Sequence, residues 1–123
     1  ALHAVGVPHE EVIDGIHREW NELTTHGWCH TISNAQIVTA SLLYGGDDYT
    51  TTIALAVAAG FDTDCNGATC GSLWGVRHGE RALPKHWLRP LKNKLRTGVS
   101  EYAVGTLDEM AEQMVTVAES VRR

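Results

Sequence analysis

The chain has 123 residues, of which 43% are hydrophobic and 20% are charged, as in ordinary globular proteins. This composition excludes a disordered, fibrous or collagen-like chain. The longest apolar run, residues 53–59, is much shorter than the roughly 20 residues of a membrane-spanning helix, so we expect no membrane partner. The three cysteines are an odd number, which disfavours a disulfide framework and predicts a reducing compartment, the cytoplasm.

The formal net charge of −5 argues against a nucleic-acid partner. The charge is unevenly distributed, because seven of the ten basic residues lie between Arg77 and Arg96, where Glu80 is the single acid. Two interpretations of this basic segment remain open. It forms either a solvated face or a positive field near an anionic ligand.

Apolar residues recur at helical spacing along most of the chain, and Gly, Pro and capping residues separate the segments. The predicted helices, in chain order, cover residues 8–23, 34–44, 47–60, about 64–79, a short piece between Pro84 and Pro90, and a last helix that begins with the capping box Thr106–Glu109. No alternating strand pattern is visible. We therefore predict an all-α, helical bundle-like chain in which residues 1–123 form a single domain or a fragment of one.

Four glycines at four-residue intervals lie in or at the end of the fourth predicted helix: Gly67, Gly71, Gly75 and Gly79. Each interior glycine costs about 0.8–1 kcal/mol of helix stability relative to alanine. We expect the close approach of another backbone to offset this cost, which places the helix at the centre of a helical assembly.

Two carboxylates, Asp62 and Asp64, precede this glycine-rich helix. Carboxylates clustered at a helix N-terminus suit a hard cation such as Mg²⁺, Mn²⁺ or Ca²⁺, but the same residues could serve only as a turn residue and an N-cap. The first six positions of an EF-hand loop are also matched here. Position twelve would be Leu73 instead of the required glutamate, which excludes an EF-hand.

The cysteines support two weaker hypotheses. Among Cys29, His30, Cys65 and Cys70, the pair Cys65 and Cys70 has the C-x₄-C spacing, at the upper limit of the usual zinc spacing. An offset of five positions places these two thiols on different sides of a helix, so we expect buried free thiols instead. A helix N-terminus lowers the pKa of a thiol, which makes Cys65 a conceivable nucleophile, although no paired base is evident.

Three stretches of the chain, residues 28–35, 42–45 and 56–69, together resemble the C-terminal part of the ADP-ribosylglycohydrolase family. The third stretch contains G-F-D-T-D-C-N-G-A-T, and Leu83-Pro84 followed by Trp87 fits the family element after the glycine-rich helix. The resemblance spans roughly residues 28–96. It implies an all-α hydrolase of the glycosidic bond between ADP-ribose and an acceptor, which is a protein side chain or a small molecule.

The resemblance also implies a site with two metal ions, Mg²⁺ or Mn²⁺. Asp62 and Asp64 are then metal ligands, and Cys65 takes the third position, where the family has a hydroxyl. His30 and Asn34 are expected to be structural.

The family's other half-site, with its G-D-A-x-G and T-D-D-T elements, does not occur in these 123 residues. We therefore expect a C-terminal portion that is inactive alone, that is completed by an N-terminal half in cis or in trans, and that self-associates through an exposed interface. The alternative is a non-catalytic helical module that packs or binds a partner.

Overall fold

The computed structural model of the chain describes residues 3–122, so that Ala1, Leu2 and Arg123 of the predicted domain lie outside the described residues. The described chain divides into two compact units on either side of the Leu83–Pro84 bond. The α-helices are α1 (His9–Glu19), α2 (Thr31–Gly45), α3 (Tyr49–Ala58), α4 (Thr63–His78), α5 (Lys85–Leu88) and α6 (Leu107–Val121). Short 3₁₀ helices occur at His3–Val5, Gly27–Cys29, Glu80–Ala82 and Arg89–Leu91. The prediction of an all-α class is confirmed, since helices dominate both units.

The first unit is built on the mutual packing of α2, α3 and α4, with α1 against α2. Its core cluster joins the buried faces of α1 and α2 to the turn that follows α3, and consists of Ile13, Ile16, Ile37, Ala40, Ala59 and Phe61. The aromatic rings of Trp20 and Tyr44 pack against this cluster. The turn before α4 is therefore anchored in the core of the first unit.

The boundaries of two helices differ from the prediction. α1 ends at Glu19 instead of Leu23, because Trp20 is extended, with φ −123° and ψ 132°, and its ring stacks on His30 at 4.3 Å between ring centroids. α2 begins at Thr31, three residues before the predicted start, and His30 Nδ1 accepts a hydrogen bond from the Ile32 N–H as its N-cap. The tertiary contact between these two rings is not visible in local periodicity.

The glycines of α4 at four-residue intervals pack mainly against side chains. The expectation that another backbone approaches closely along these glycines is therefore wrong. A Cβ on Gly67 would lie 3.4 Å from Val57, and one on Gly71 would lie 3.1 Å from the Tyr49 hydroxyl, whereas one on Gly75 would meet nothing within 4 Å. Close backbone approach occurs instead at Gly45, where a Cβ would lie 2.6 Å from the Thr52 Cα. α4 packs against both α2 and α3 in the first unit.

The second unit contains a small antiparallel sheet, β1 (Lys94–Arg96) paired with β2 (Val104–Thr106), which the sequence did not predict. Strands of three residues are too short to show an alternating pattern. The capping box that starts α6 is confirmed, since the Thr106 side chain accepts from the Glu109 N–H and Glu109 accepts in return. Asn93 also accepts hydrogen bonds from the N–H groups of Leu107 and Asp108.

Candidate metal centre

The acidic turn reverses the chain between α3 and α4 through two consecutive left-handed residues. Gly60 has φ +80° and Phe61 has φ +58°, a conformation that costs a residue with a side chain about 1–2 kcal/mol. Asp62 follows with φ −87° and ψ 74°, and the Thr63 N–H donates to the Phe61 carbonyl at 3.1 Å. This is an inverse γ-turn centred on Asp62, and α4 begins immediately after it.

Two side chains from the start of the first unit hold this turn. The Glu22 carboxylate accepts a hydrogen bond from the Phe61 N–H at 2.8 Å, and His17 Nε2 lies 3.0 Å from the Ala59 carbonyl oxygen. The His17 ring also contacts the Phe61 ring at 4.8 Å between centroids. Sequence reasoning missed Glu22 and His17 because they lie about 40 positions away and belong to no recognisable motif.

Asn34, in the first turn of α2, connects the turn to the loop before α2. Its Oδ1 accepts hydrogen bonds from the Asp62 N–H at 3.1 Å and from Asn66 Nδ2 at 2.6 Å. Its Nδ2 donates to the carbonyl oxygens of Trp28 and His30, both at 3.0 Å. The four hydrogen bonds of this amide therefore connect the acidic turn and the first turn of α4 to the loop that precedes α2.

The structure brings together the three predicted metal ligands. One ligand atom from each of Asp62, Asp64 and Cys65 lies within 4.8 Å of the others, with Asp62 half-buried and the other two exposed. Asp62 is the residue before α4, yet its carboxylate makes no capping hydrogen bond, so the N-terminus of α4 does not occupy it. Hydrogen bonding with the Asp62 carboxyl, and then with the N–H groups of Asp64 and Cys65, lowers the pKa of Asp64.

The donor set fits a hard cation only in part. Asp62 and Asp64 provide the carboxylate oxygens that Mg²⁺ and Mn²⁺ prefer, but a thiol is a poor ligand for either. Hydrogen bonding to Asp62 and the nearby carboxylate charges raise the pKa of the Cys65 thiol. A raised pKa leaves less thiolate at neutral pH, which disfavours a Cys65 nucleophile.

The other cysteines and the competing motifs form no second site in the described part of the chain. The thiols are free, as predicted, but only Cys70 is buried, while Cys29 is half-buried and Cys65 is exposed. Within residues 3–122, Asp62, Asp64 and Cys65 are the single group of three or more His, Cys, Asp or Glu residues whose ligand atoms lie close enough to share a metal ion. The EF-hand is excluded because helix α4 starts at Thr63.

The basic segment is divided between the two units. In the first unit, the Arg77 guanidinium lies 3.6 Å from the Asp47 carboxylate, and both side chains are exposed. In the second unit, the basic residues lie on α5, on the following 3₁₀ helix, on β1 and, for Lys92, directly after that 3₁₀ helix. The ion pair with Asp47 partly neutralises the positive charge at the start of the basic segment. A role of this segment beside an anionic ligand stays a prediction.

The model of the ADP-ribosylglycohydrolase family matches residues 2–123. The chain belongs to this family. The match extends beyond residues 28–96, where the resemblance is strongest, and includes His17 and Glu22, which hold the acidic turn. No curated protein and no solved structure matches the chain significantly. In this ADP-ribosylglycohydrolase chain, no helix within residues 3–122 combines the length and apolar character that crossing a membrane requires.

Proposed function

We propose that this chain supplies the Asp62 and Asp64 half of a divalent-cation site in an ADP-ribosyl glycohydrolase. The observation that carries the proposal is the placement of both carboxylates on a turn fixed by the core, in a chain that matches the ADP-ribosylglycohydrolase model along its length. The ion is Mg²⁺ or Mn²⁺, and two such ions occupy the complete site. The remaining ligands come from an N-terminal half, in the same polypeptide or in a second chain.

The chemistry suits hydrolysis of a glycosidic bond to ADP-ribose on a protein or small-molecule acceptor. Bound divalent cations would orient the ribose hydroxyls, activate water and stabilise developing negative charge. Asp62 and Asp64 would hold the ions from one side, since both are carboxylates, which are ionised at neutral pH in their ordinary state. Cys65 stands beside this pair and contributes at most weakly to binding a hard cation.

Thermal unfolding in the presence of Mg²⁺ or Mn²⁺ tests the metal half-site. A ligand that binds only the native state stabilises it by about 2.7 kcal/mol at a concentration one hundred times its dissociation constant. We expect the unfolding midpoint to rise with millimolar metal in the native chain and not in Asp62→Asn or Asp64→Asn. Asp14→Asn, on the exposed side of α1, is the matched control and should retain the shift.

The alternative function is a non-catalytic helical module in which the D-T-D sequence only forms the turn. The absence of any midpoint shift in the native chain would favour this module. A second assay tests the incompleteness of the site, since we expect the isolated chain to turn over no ADP-ribosylated substrate. Robust hydrolysis that Asp62→Asn abolishes would contradict the requirement for another half.

The proposed partners include a second copy of the chain. The apolar residues of α6, Leu107, Met110, Met114, Val117 and Val121, are spaced three and four apart, and its last three turns are exposed. The first turn of α6 carries Asp108 and Glu109, and Arg122 follows its end. Antiparallel pairing of two α6 helices would cover the apolar stripe and place Arg122 beside the acidic first turn of the other copy.

We also propose a cytoplasmic location. Cys29, Cys65 and Cys70 are all free in the described structure, and free thiols are typical of a reducing compartment. The exposed Cys65 beside two carboxylates would persist as a thiol under those conditions.

A further inference from the structure

We infer that Asn34 is a positioning residue that sets the metal affinity of the Asp62–Asp64 pair, an inference that rests on the proposed metal half-site. Asn34 belongs to α2, whereas the pair lies at the start of α4, 28 residues further along the chain. Its amide is the direct hydrogen-bonded link between the loop that precedes α2 and the backbone of Asp62. The inference concerns the orientation of the ligands and assigns Asn34 no contact with the ion.

The orientation of the Asn34 amide is fixed by groups that cannot exchange roles. The Asp62 N–H can only donate, so Oδ1 must face the turn, and the carbonyls of Trp28 and His30 can only accept, so Nδ2 must face the loop. No flipped amide satisfies both sides. Of the side chains of similar size, only an amide presents an acceptor in one direction and two N–H donors in the other.

This amide restrains the peptide group on which the Asp62 side chain is mounted. Asp62 is the central residue of the inverse γ-turn, and its N–H would otherwise be free to rotate toward solvent. The same Oδ1 also holds the side chain of Asn66, which is 2% exposed and lies one turn further along α4. Asn34 therefore fixes the turn and the first turn of α4 relative to each other, and with them the separation of the two carboxylates.

A group that orients metal ligands without touching the ion changes metal affinity about 10–100-fold when it is removed. We expect Asn34→Ala to raise the dissociation constant for Mn²⁺ at least tenfold, measured from the free-ion electron paramagnetic resonance signal at a temperature where circular dichroism shows a folded chain. Asn34→Gln keeps the amide but adds a methylene, and should recover part of the affinity. Probing with Mn²⁺ alone requires no substrate and no turnover.

Asn93→Ala is the matched control, because the Oδ1 of Asn93 likewise accepts two hydrogen bonds at the start of a helix, here from two backbone N–H groups in the second unit. We expect it to lower stability and leave the Mn²⁺ dissociation constant unchanged within twofold. Should Asn34→Ala be unfolded, Asn34→Ser replaces it under the same criterion, since a hydroxyl is too short to reach both sides.

The possible outcomes separate this inference from the proposed function. Wild-type affinity in the folded Asn34 variant, or an equal loss of affinity in Asn93→Ala, would overturn the positioning role while leaving the metal half-site intact. Mn²⁺ binding that is undetectable in the native chain, or unchanged by Asp62→Asn, would overturn both. A tenfold or larger loss confined to the Asn34 variants supports the positioning role.

Discussion

Removal of the Glu22 carboxylate should destabilise the acidic turn by a measurable amount. The carboxylate accepts the Phe61 N–H at 2.8 Å, and a hydrogen bond to a charged group contributes about 1.5–3 kcal/mol when buried. Because 34% of the Glu22 side chain is exposed, solvent competes for both partners and reduces this contribution. We expect Glu22→Ala to lower the free energy of unfolding by about 1–2 kcal/mol.

The cost of the turn explains why this hydrogen bond matters. Phe61 is held at φ +58°, and burial of its ring in the core opposes the strain of the left-handed backbone. The Glu22 contact adds to that burial by accepting the Phe61 N–H, which the reversed backbone turns toward the segment after α1. Without Glu22, the strain is opposed by ring packing and by the contacts of His17 and Asn34, and the turn should open more often.

Urea denaturation followed by circular dichroism measures the effect. Glu22→Gln keeps an acceptor oxygen without the charge and should lose less than about 1 kcal/mol. Glu19→Ala, at the exposed end of α1, is the control and should change stability by less than about 0.5 kcal/mol. A loss below 0.5 kcal/mol in Glu22→Ala, or equal losses in the alanine and glutamine variants, would refute the role assigned to the carboxylate.

Three further predictions address packing, protonation and assembly. Gly45→Ala should destabilise the chain by about 1–3 kcal/mol, since the added Cβ would collide with Thr52. Gly75→Ala should instead stabilise the chain by up to about 1 kcal/mol, because its Cβ would meet nothing within 4 Å. Denaturant titrations measure both variants, and equal effects would contradict the packing argument. Burial lowers the pKa of His9. The stability that neutral His9 contributes is therefore present above about pH 6.5 and is lost as the pH falls through the lower native pKa. His9→Phe should flatten the dependence of unfolding free energy on pH between about pH 7 and 5, and an unchanged slope would contradict this role of His9. Met114→Glu, at a position 66% exposed, should shift sedimentation toward the monomer without loss of helicity, and a wild-type chain that is monomeric at all concentrations would exclude pairing through α6.

Much of the local structure could be predicted from residue patterns. The capping box at Thr106 predicts the start of α6 because the interacting groups are three residues apart. Asp48 caps α3 over the same short distance, by accepting from the Thr51 N–H. Helix ends that depend on distant contacts could not be predicted, as the stacking of Trp20 on His30 shows. The strands beside Asn93 were missed because their pairing leaves no periodic signal in three residues.

The sequence by itself determined the helical class, the family resemblance and the candidate ligands Asp62, Asp64 and Cys65, because these follow from local spacing and from a contiguous motif. Only the tertiary structure decided how the ligands are held. Glu22 and Asn34 reach the turn across 39 and 28 residues of chain, and hydrogen bonds between separate helices depend on how those helices pack. The pKa of the Cys65 thiol also depends on the tertiary structure, since the Asp62 and Asp64 carboxylates raise it only at the short distances that the folded turn creates.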